Sequence, residues 1–292
     1  MSAPATPDAP SPERREGSFH GRATGVLEND QLQLEFLLDA GPRIVRLGRR
    51  DTPGNILAET PAYSWATVYG EPYELIGGHR LWVAPETPPE QQVPDKKPVE
   101  VTWLPEGVEL VGGTLTRERL SRSITIQLQP GEPVVELVHA LRTCGEETVE
   151  AAAWSLTALA VGGVASLPQQ QGPVEAEHLP NRHLVFWPYS SIADPRLELR
   201  DDEIRLRASP ADGYFKLGYF NRTGSLVYVR DGLRFEKTFA VLEGEAHADL
   251  GCNAEAYVSD ELLELETLSP LRELAPGESV EHRETWRLER TT

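Results

Sequence analysis

Two glutamates stand two positions apart near the end of the chain, in the segment ELLELETLSP. If this segment is a strand, Glu264 and Glu266 face the same side, because strand side chains alternate. Neighbouring carboxylates repel, so in a poorly solvated place the pKa of one of them rises, and that carboxyl becomes a usable general base. The alternative is that both glutamates lie on a solvated strand face and do no chemistry.

A second group of reactive side chains lies in GGHRLWVAPE, residues 77–86. The paired glycines let the backbone approach a ligand closely, and His79 can exchange a proton near neutral pH. Arg80 offers a planar set of donors, and Trp82 offers a flat apolar face for a sugar ring. Together with Glu86 these groups can hold a polyol. Alternatively, the segment is a tight turn entering a strand, with Trp82 in the core and Arg80 paired to a surface carboxylate.

A basic and aromatic cluster follows in NRHLVFWPYSSIADPR, residues 181–196. Its members Arg182, His183 and Trp187 suit a sugar-binding cleft, although such residues also occur in ordinary cores and rims. We expect His183 to take part in a site.

Two single residues complete the candidate contacts. Glu255, in ADLGCNAEAY, lies beside a glycine turn and can line the same pocket. Lys216, in YFKLGYF, is either a further contact or a solvated exterior charge. No D-x-D-x-D-G pattern indicates a calcium loop, and we expect neither a metal nor a cofactor.

The elements that position these residues are strands. Apolar and polar residues alternate in SRSITIQLQP and again from Val280 to Leu288, which is typical of half-buried antiparallel strands. Turn signals such as RDG and APGE separate about fifteen strand-like runs. The pattern predicts one all-β domain over residues 18–292, a large antiparallel β-sandwich. Residues 1–17 are predicted to be a disordered tail, and Glu86–Pro98 a long surface loop.

Composition narrows the classes of partner. The chain has 292 residues with 46 acidic and 28 basic side chains, a net charge of −18. Such a surface disfavours nucleic acids and anionic membranes. No segment resembles a membrane helix or a secretory signal, so we expect a cytoplasmic monomer or homodimer. We expect Cys144 and Cys252 to be buried free thiols, and a single bridge between them is the alternative.

The beginning and the end of the chain carry a family resemblance. The opening LEFLLDAGPRIVRLGRRDTPGNIL and the closing LLELETLSPLRELAPGESVEHRETWRL resemble the first and last strands of galactose mutarotase-like proteins. The similarity spans residues 31–288, and GGHRLWVAPE is most similar to an uncharacterised bacterial branch of that superfamily rather than to true aldose 1-epimerases.

The resemblance implies roles for particular residues. In true epimerases a late glutamate takes the anomeric proton, and Leu265-Glu266-Thr267 resembles that stretch, which implies that Glu266 is the base. Arg80 is the nearest match to the family's sugar-binding arginine. The strand that carries the family's acid reads AAAWSLTALAVGG here and contains no histidine, so His79 or His183 would supply the acid.

Three hypotheses remain open from the sequence. The first is a sugar-binding protein that epimerises an aldose or a sugar derivative. The second is a non-catalytic sugar-binding or sensing protein on the same fold. The third is an oligosaccharide hydrolase or lyase, for which Glu255 and Glu266 are the carboxyl pair to test, because hydrolysis needs two carboxyls roughly 5–10 Å apart.

Overall fold

The computed structural model describes residues 11–87, 95–114, 119–170, 180–211 and 213–291. The strands within these ranges are β1 Glu13–Phe19, β2 Arg22–Glu28, β3 Leu32–Leu37, β4 Arg43–Arg49, β5 Glu59–Ala66, β6 Pro72–Gly77, β7 His79–Ala84, β8 Glu100–Leu104, β9 Gly107–Val111, β10 Leu120–Leu128, β11 Val134–Thr143, β12 Val149–Ala160, β13 Val164–Pro168, β14 Val185–Phe186, β15 Leu197–Leu199, β16 Glu203–Arg207, β17 Phe215–Tyr219, β18 Ser225–Arg230, β19 Leu233–Phe239, β20 Ala254–Val258, β21 Leu262–Leu268, β22 Arg272–Leu274 and β23 Ser279–Arg290. One short helix, α1, spans Ala248–Gly251. No helix in the described ranges has the length and apolar character needed to cross a membrane.

Two large antiparallel sheets pack face to face. The first runs β1-β2-β3-β4-β7-β12-β21-β20-β17-β14, with β22 paired to β12. The second runs β15-β16-β13-β18-β19-β23-β11-β10-β9-β8. The strands β5 and β6 pair only with each other and form a separate hairpin. This arrangement confirms the predicted all-β antiparallel sandwich.

Alternating burial explains how the sheets meet. In β23 the side chains of Val280, His282, Glu284, Trp286 and Leu288 are buried while their neighbours are more exposed, as the sequence pattern predicts. The Trp286 ring is fully buried and packs edge-on against other rings of the inter-sheet core. Each such strand therefore turns one face to the core and one to solvent.

A glycine turn of the predicted kind joins β18 to β19. Asp231 and Gly232 both have positive φ, 49° and 75°, between the paired residues Arg230 and Leu233. A two-residue hairpin of this type requires positive φ at both positions, which Gly and Asp tolerate. The RDG signal in the sequence is thus a tight hairpin.

Two expectations need correction. The predicted tail contains part of a strand, because β1 pairs with β2 from Glu13↔Glu28 to Phe19↔Arg22; residues 1–10 lie outside the described ranges. Backbone pairing along a neighbouring strand orders this segment even though its side chains are largely exposed. The two cysteines are free, but only Cys252 is buried, while Cys144 is exposed just beyond the end of β11.

A charged network lies between the two sheets. The fully buried Lys237 ammonium on β19 is 2.9 Å from Glu284 Oε1 on β23 and donates to the hydroxyl of Thr157 and the carbonyl of Leu265. Ser155 also donates to Glu284, at 2.6 Å. Burial by itself would raise the pKa of Glu284, but Lys237 and His282 are the main groups that oppose burial, and the pKa lies well below its ordinary value. The pair is thus charged and nearly fully hydrogen-bonded.

Histidines continue this network. His139 Nδ1 donates to the carbonyl of His282 at 3.1 Å, so its Nε2 accepts from His79 Nε2–H at 2.7 Å. His79 Nδ1 then accepts from Thr157, at 2.9 Å. Burial lowers the pKa of His139 to about 4 and that of His79 well below its usual value. Both rings are neutral. The ligand atoms of His79, His139 and Glu284 lie within 4.8 Å of one another, but Lys237 already provides the cation that Glu284 faces.

Candidate functional site

A cleft of about 480 Å³ opens on the outer face of the first sheet, opposite the inter-sheet core. Its floor is formed by β7, β12, β21, β20 and β17, which are consecutive neighbours in that sheet. Its walls come from the hairpin β5–β6 and from the segments around Tyr189, Tyr214 and Ser259.

Strand register aligns the floor residues in two rows. Arg80, Leu156, Glu266 and Glu255 are successive cross-strand partners on β7, β12, β21 and β20. A second row consists of Ala158, Glu264, Tyr257 and Lys216. Directly paired residues point to the same side of a sheet, so residues from five separated segments meet on one surface.

The strand β21 is buried on both of its faces. Leu263 and Leu265 enter the core, whereas Glu264 and Glu266 face the cleft. The alternation expected from ELLELETL is therefore what positions the two carboxyl groups.

Lys216 binds two carboxyl groups at the base of the cleft. Its Nζ lies 2.7 Å from Glu255 Oε2 and 2.8 Å from Glu266 Oε2. It also lies above the rings of Trp154 and Trp187, at 4.7 and 4.5 Å from their centroids. Burial by itself would lower the pKa of Lys216, but Glu266 and Glu255 outweigh it and the pKa is raised. Lys216 is therefore an ammonium, not an exterior charge.

The two partners of Lys216 differ in environment. Glu255 is fully buried, and burial raises its pKa well above the ordinary value in spite of Lys216. Glu266 Oε2 also accepts a hydrogen bond from Trp154 Nε1 at 2.8 Å. Glu266 Oε1 has no hydrogen-bond partner among the described residues. The charge of Lys216 is thus matched mainly by Glu266, whose second oxygen keeps its lone pairs free.

Gly218 makes room for Glu255. It is the cross-strand partner of Glu255, and a Cβ at this position would lie 2.7 Å from Cys252 Sγ and 3.2 Å from Glu255 Cγ. A larger residue would push against both side chains.

Glu264 is a carboxyl group with a perturbed pKa. Burial, followed by the charge of Glu266, raises the pKa of Glu264 to about 7, while Arg80, Lys216 and Arg43 oppose the shift. Near neutral pH this group exists in both proton states.

Arg80 borders the cleft beside Glu264. Its Nη1 donates to the hydroxyl of Tyr73, and its guanidinium lies 5.2 Å from the Trp82 ring centroid. Glu86 lies at the rim, where partial removal from water raises its pKa.

Aromatic rings form the walls. Tyr214 stacks on Tyr257 with centroids 6.0 Å apart, and its hydroxyl is 3.4 Å from that of Tyr63 on β5. Trp65 stacks on Tyr73 at 4.6 Å. The segment bearing Tyr189 is tied to β17 because Ser190 exchanges hydrogen bonds with the backbone of Lys216. Aromatic faces beside a few polar groups form the kind of surface that binds sugar rings.

The structure brings several of the predicted residues together. The cleft is lined by Arg80, Glu86, Lys216, Glu264 and Glu266. Glu255 lies behind Lys216, and Trp187 covers the same ammonium.

Four predicted residues lie elsewhere. His79 is fully buried between the sheets, because alternation along β7 turns it away from Arg80. Trp82 is buried and packs against Arg80 rather than lining the cleft. Arg182 and His183 are exposed and line a different groove. No histidine lines the cleft within the described ranges.

Other cleft residues escaped the sequence analysis. Trp154 and Leu156 alternate with Ser155 and Thr157 in AAAWSLTALA, so one face of β12 enters the cleft and the other enters the inter-sheet network. The alternation is visible in the sequence, but because most residues of this run are apolar, it does not show which face of β12 lines the cleft. Tyr63 also belongs to the cleft.

The carboxyl pair considered for hydrolysis does not flank the cleft. Glu255 and Glu266 are direct cross-strand partners that bind one ammonium from either side. Hydrolysis needs the two groups on opposite sides of the scissile bond, and Glu255 does not line the cleft.

Comparison with known proteins identifies the fold. No protein-family model and no curated protein matches the chain. A galactose mutarotase-like protein from Lactobacillus casei ATCC 334 is similar with a TM-score of 0.53 and 10% identity, over 91% of this chain and 100% of that one. The Slr1438 protein from Synechocystis sp. PCC 6803 is similar with a TM-score of 0.57 and 12% identity, over 99% of each chain.

A larger protein contains a similar structure. A TPR-domain containing protein from Parabacteroides distasonis ATCC 8503 is similar with a TM-score of 0.61 and 12% identity, over 91% of this chain and 47% of that one. The chain thus spans about half of that protein. At these identities the likeness establishes the fold, which is the galactose mutarotase-like β-sandwich predicted from the sequence.

Proposed function

We propose that this protein binds an uncharged aldose, or a sugar derivative of similar size, in the cleft and interconverts its anomers. The observation that carries the proposal is the environment of Glu266. Its Oε2 is held by Lys216 and Trp154, and its Oε1 is free of hydrogen bonds from described residues. A carboxylate fixed in this way on the floor of an aromatic cleft is placed to accept a proton from a bound hydroxyl group.

The proposed role of each group follows from its position. Glu266 Oε1 accepts the proton of the anomeric hydroxyl, so that the bond between the anomeric carbon and the ring oxygen breaks. Arg80 donates to sugar hydroxyls, and the rings of Trp65 and Tyr257 contact the apolar face of the sugar. The similarity to a galactose mutarotase-like structure supports a sugar-related activity.

A second candidate function is sugar binding without turnover. It is favoured by one observation: the described lining of the cleft contains no histidine, although histidine is the commonest general acid in proteins. On this alternative, Lys216 and Glu266 only shape the binding surface.

Exchange NMR tests the proposal. Anomer interconversion of a panel of aldoses is recorded with the wild-type protein, with Glu266→Gln and with the surface control Glu273→Gln. We expect acceleration by wild type and control, and a loss of about 100-fold or more in Glu266→Gln. Sugar line broadening without acceleration in any sample would support the binding protein instead. Neither binding nor acceleration would contradict both candidates.

A further inference from the structure

The two cleft carboxyls of β21 have opposite surroundings. Glu266 receives two hydrogen bonds from charged or polar donors at 2.8 Å. Glu264 is 9% exposed, and no described residue donates a hydrogen bond to it. Donors stabilise the charged carboxylate, whereas burial without donors favours the neutral acid. The pair is therefore prepared for opposite proton states.

We infer that Glu264 is the general acid of the anomer interconversion and protonates the ring oxygen while Glu266 takes the anomeric proton. This inference rests on the proposed function. The two side chains stand two positions apart on one strand face, which separates their α-carbons by roughly 7 Å. An anomeric carbon with its two oxygens fits between such carboxyl groups. Carboxyl pairs with divergent environments often divide acid and base roles in this way.

The charges around Glu264 fit the role. Burial and then Glu266 raise the pKa of Glu264 to about 7, so a substantial fraction carries the proton near neutrality. The charged groups that act on Glu264 are Glu266 on its own strand, Arg80 on β7, Lys216 on β17 and Arg43 on β4. Tyr257 on β20 is its cross-strand partner, and Glu86 and Glu261 also line the cleft that Glu264 faces.

Other proton donors fit less well. His79 lies in the inter-sheet network, and His183 lies in another groove. Burial raises the pKa of Tyr189 to about 12, so its hydroxyl holds its proton too tightly for acid catalysis near neutrality. Lys216 is bound by two carboxyl groups.

The proton balance closes without a cofactor. The anomeric O–H proton moves to Glu266, the carbon–oxygen bond of the ring breaks, and the proton of Glu264 moves to the ring oxygen. The open-chain aldehyde then rotates about its first carbon–carbon bond. On closure, the hydroxyl returns its proton to Glu264, and Glu266 returns its proton to the carbonyl oxygen. Both side chains recover their starting states.

Exchange NMR on an aldose that the wild-type protein turns over tests the inference. The variants are Glu264→Gln, which keeps the shape, Glu264→Asp, which keeps the acid, and Glu273→Gln, which removes an exposed carboxyl elsewhere in the sheet. We expect Glu264→Gln to lower kcat by about 100-fold with a smaller change in KM, and Glu264→Asp to retain part of the activity. The wild-type rate should fall as the pH rises through about 7, and this limb should be missing in Glu264→Gln.

Failure of the inference differs from failure of the proposed function. Full activity of Glu264→Gln, an unchanged pH profile, or a loss confined to KM would overturn the role of Glu264 while the epimerase proposal stands. Circular dichroism of each variant shows whether a loss of activity is due to loss of the acid or to loss of folding. If Glu264→Gln does not fold, the pH dependence of the wild-type rate and the activity of Glu264→Asp test the role of Glu264 instead. A wild type that binds sugars without accelerating exchange overturns both.

Discussion

Lys216 Nζ and Glu266 Oε2 lie 2.8 Å apart although 50 positions separate them in the chain. They belong to β17 and β21, which do not pair with each other, because β20 lies between them. The charge beside the proposed base therefore depends on the register of three strands.

Removal of this ammonium should destabilise the protein. Lys216→Met leaves Glu266 buried without its cation, and we expect a loss of about 3 kcal/mol in the free energy of unfolding at pH 8. The loss should be smaller at pH 5, because the isolated carboxylate can take up a proton. Urea unfolding at both pH values checks this. Lys96→Met, which removes an exposed ammonium paired with Glu74, should change stability little; equal losses in the two variants would contradict the prediction.

Loss of an aromatic wall should weaken sugar binding. Tyr214 is 48% exposed and stacks on Tyr257, so Tyr214→Ala should lower affinity by about fivefold to tenfold with little effect on stability. Titration calorimetry measures the affinity. Trp103→Ala removes a comparably exposed ring outside the cleft and should leave affinity unchanged.

The cleft should disfavour anionic ligands. Its lining includes Glu86, Glu261, Glu264 and Glu266 but, among the described residues, only Arg80 and Lys216 as cations. Lys216 is already matched by carboxyl groups. We expect a sugar phosphate to bind at least about tenfold more weakly than the parent sugar, with a gap that narrows as salt screens the repulsion. Equal or tighter binding of the sugar phosphate would contradict the prediction and would show that the positive charge of Arg80 outweighs the carboxyl groups of the cleft.

The buried histidines should make the fold acid-sensitive. Burial lowers the pKa of His139 to about 4 from an ordinary value of 6.5. Between these values the unfolded chain takes up a proton that the folded protein does not, so stability contributed by the neutral ring is present above pH 6.5 and lost as the pH falls towards 4. The total is roughly 3 kcal/mol.

A variant isolates this contribution. Glu264 titrates in the opposite sense, because its raised pKa favours the folded state at lower pH. The unfolding free energies of wild type and His139→Gln are therefore compared at pH 7.5 and pH 5. The difference between them should shrink at pH 5; a constant difference would contradict a neutral, buried His139.

Local alternation predicted much of the fold and part of the site. It indicated the burial of Ile124 and Ile126, and it placed Glu264 and Glu266 on one face. It also held the information that His79 and Arg80 point in opposite directions, since they are adjacent in a strand. The two side chains therefore cannot line the same face of the sheet, and only Arg80 borders the cleft.

Non-local register could not be predicted in the same way. Lys216 lies in a short run whose residues are all buried, so its own strand gives no sign of which side binds carboxyl groups. Its role depends on the pairing of β17 with β20, in which Lys216 is the cross-strand partner of Tyr257. Glu255 lies two residues before Tyr257 and so faces the same side as Lys216. Such pairings follow from the packing of the whole sheet rather than from the sequence of one strand.

The hairpin β5–β6 supplies Tyr63, Trp65 and Leu75 to the cleft but shares no ladder with either large sheet. The carboxyl groups of the floor lie on strands whose opposite faces pack into the core. The hairpin therefore lines the cleft without carrying either of the carboxyl groups proposed to transfer protons. On the proposed function, exchange of the hairpin's half-buried rings, Tyr63 and Trp65, would change which sugar binds while Glu264 and Glu266 stayed in place.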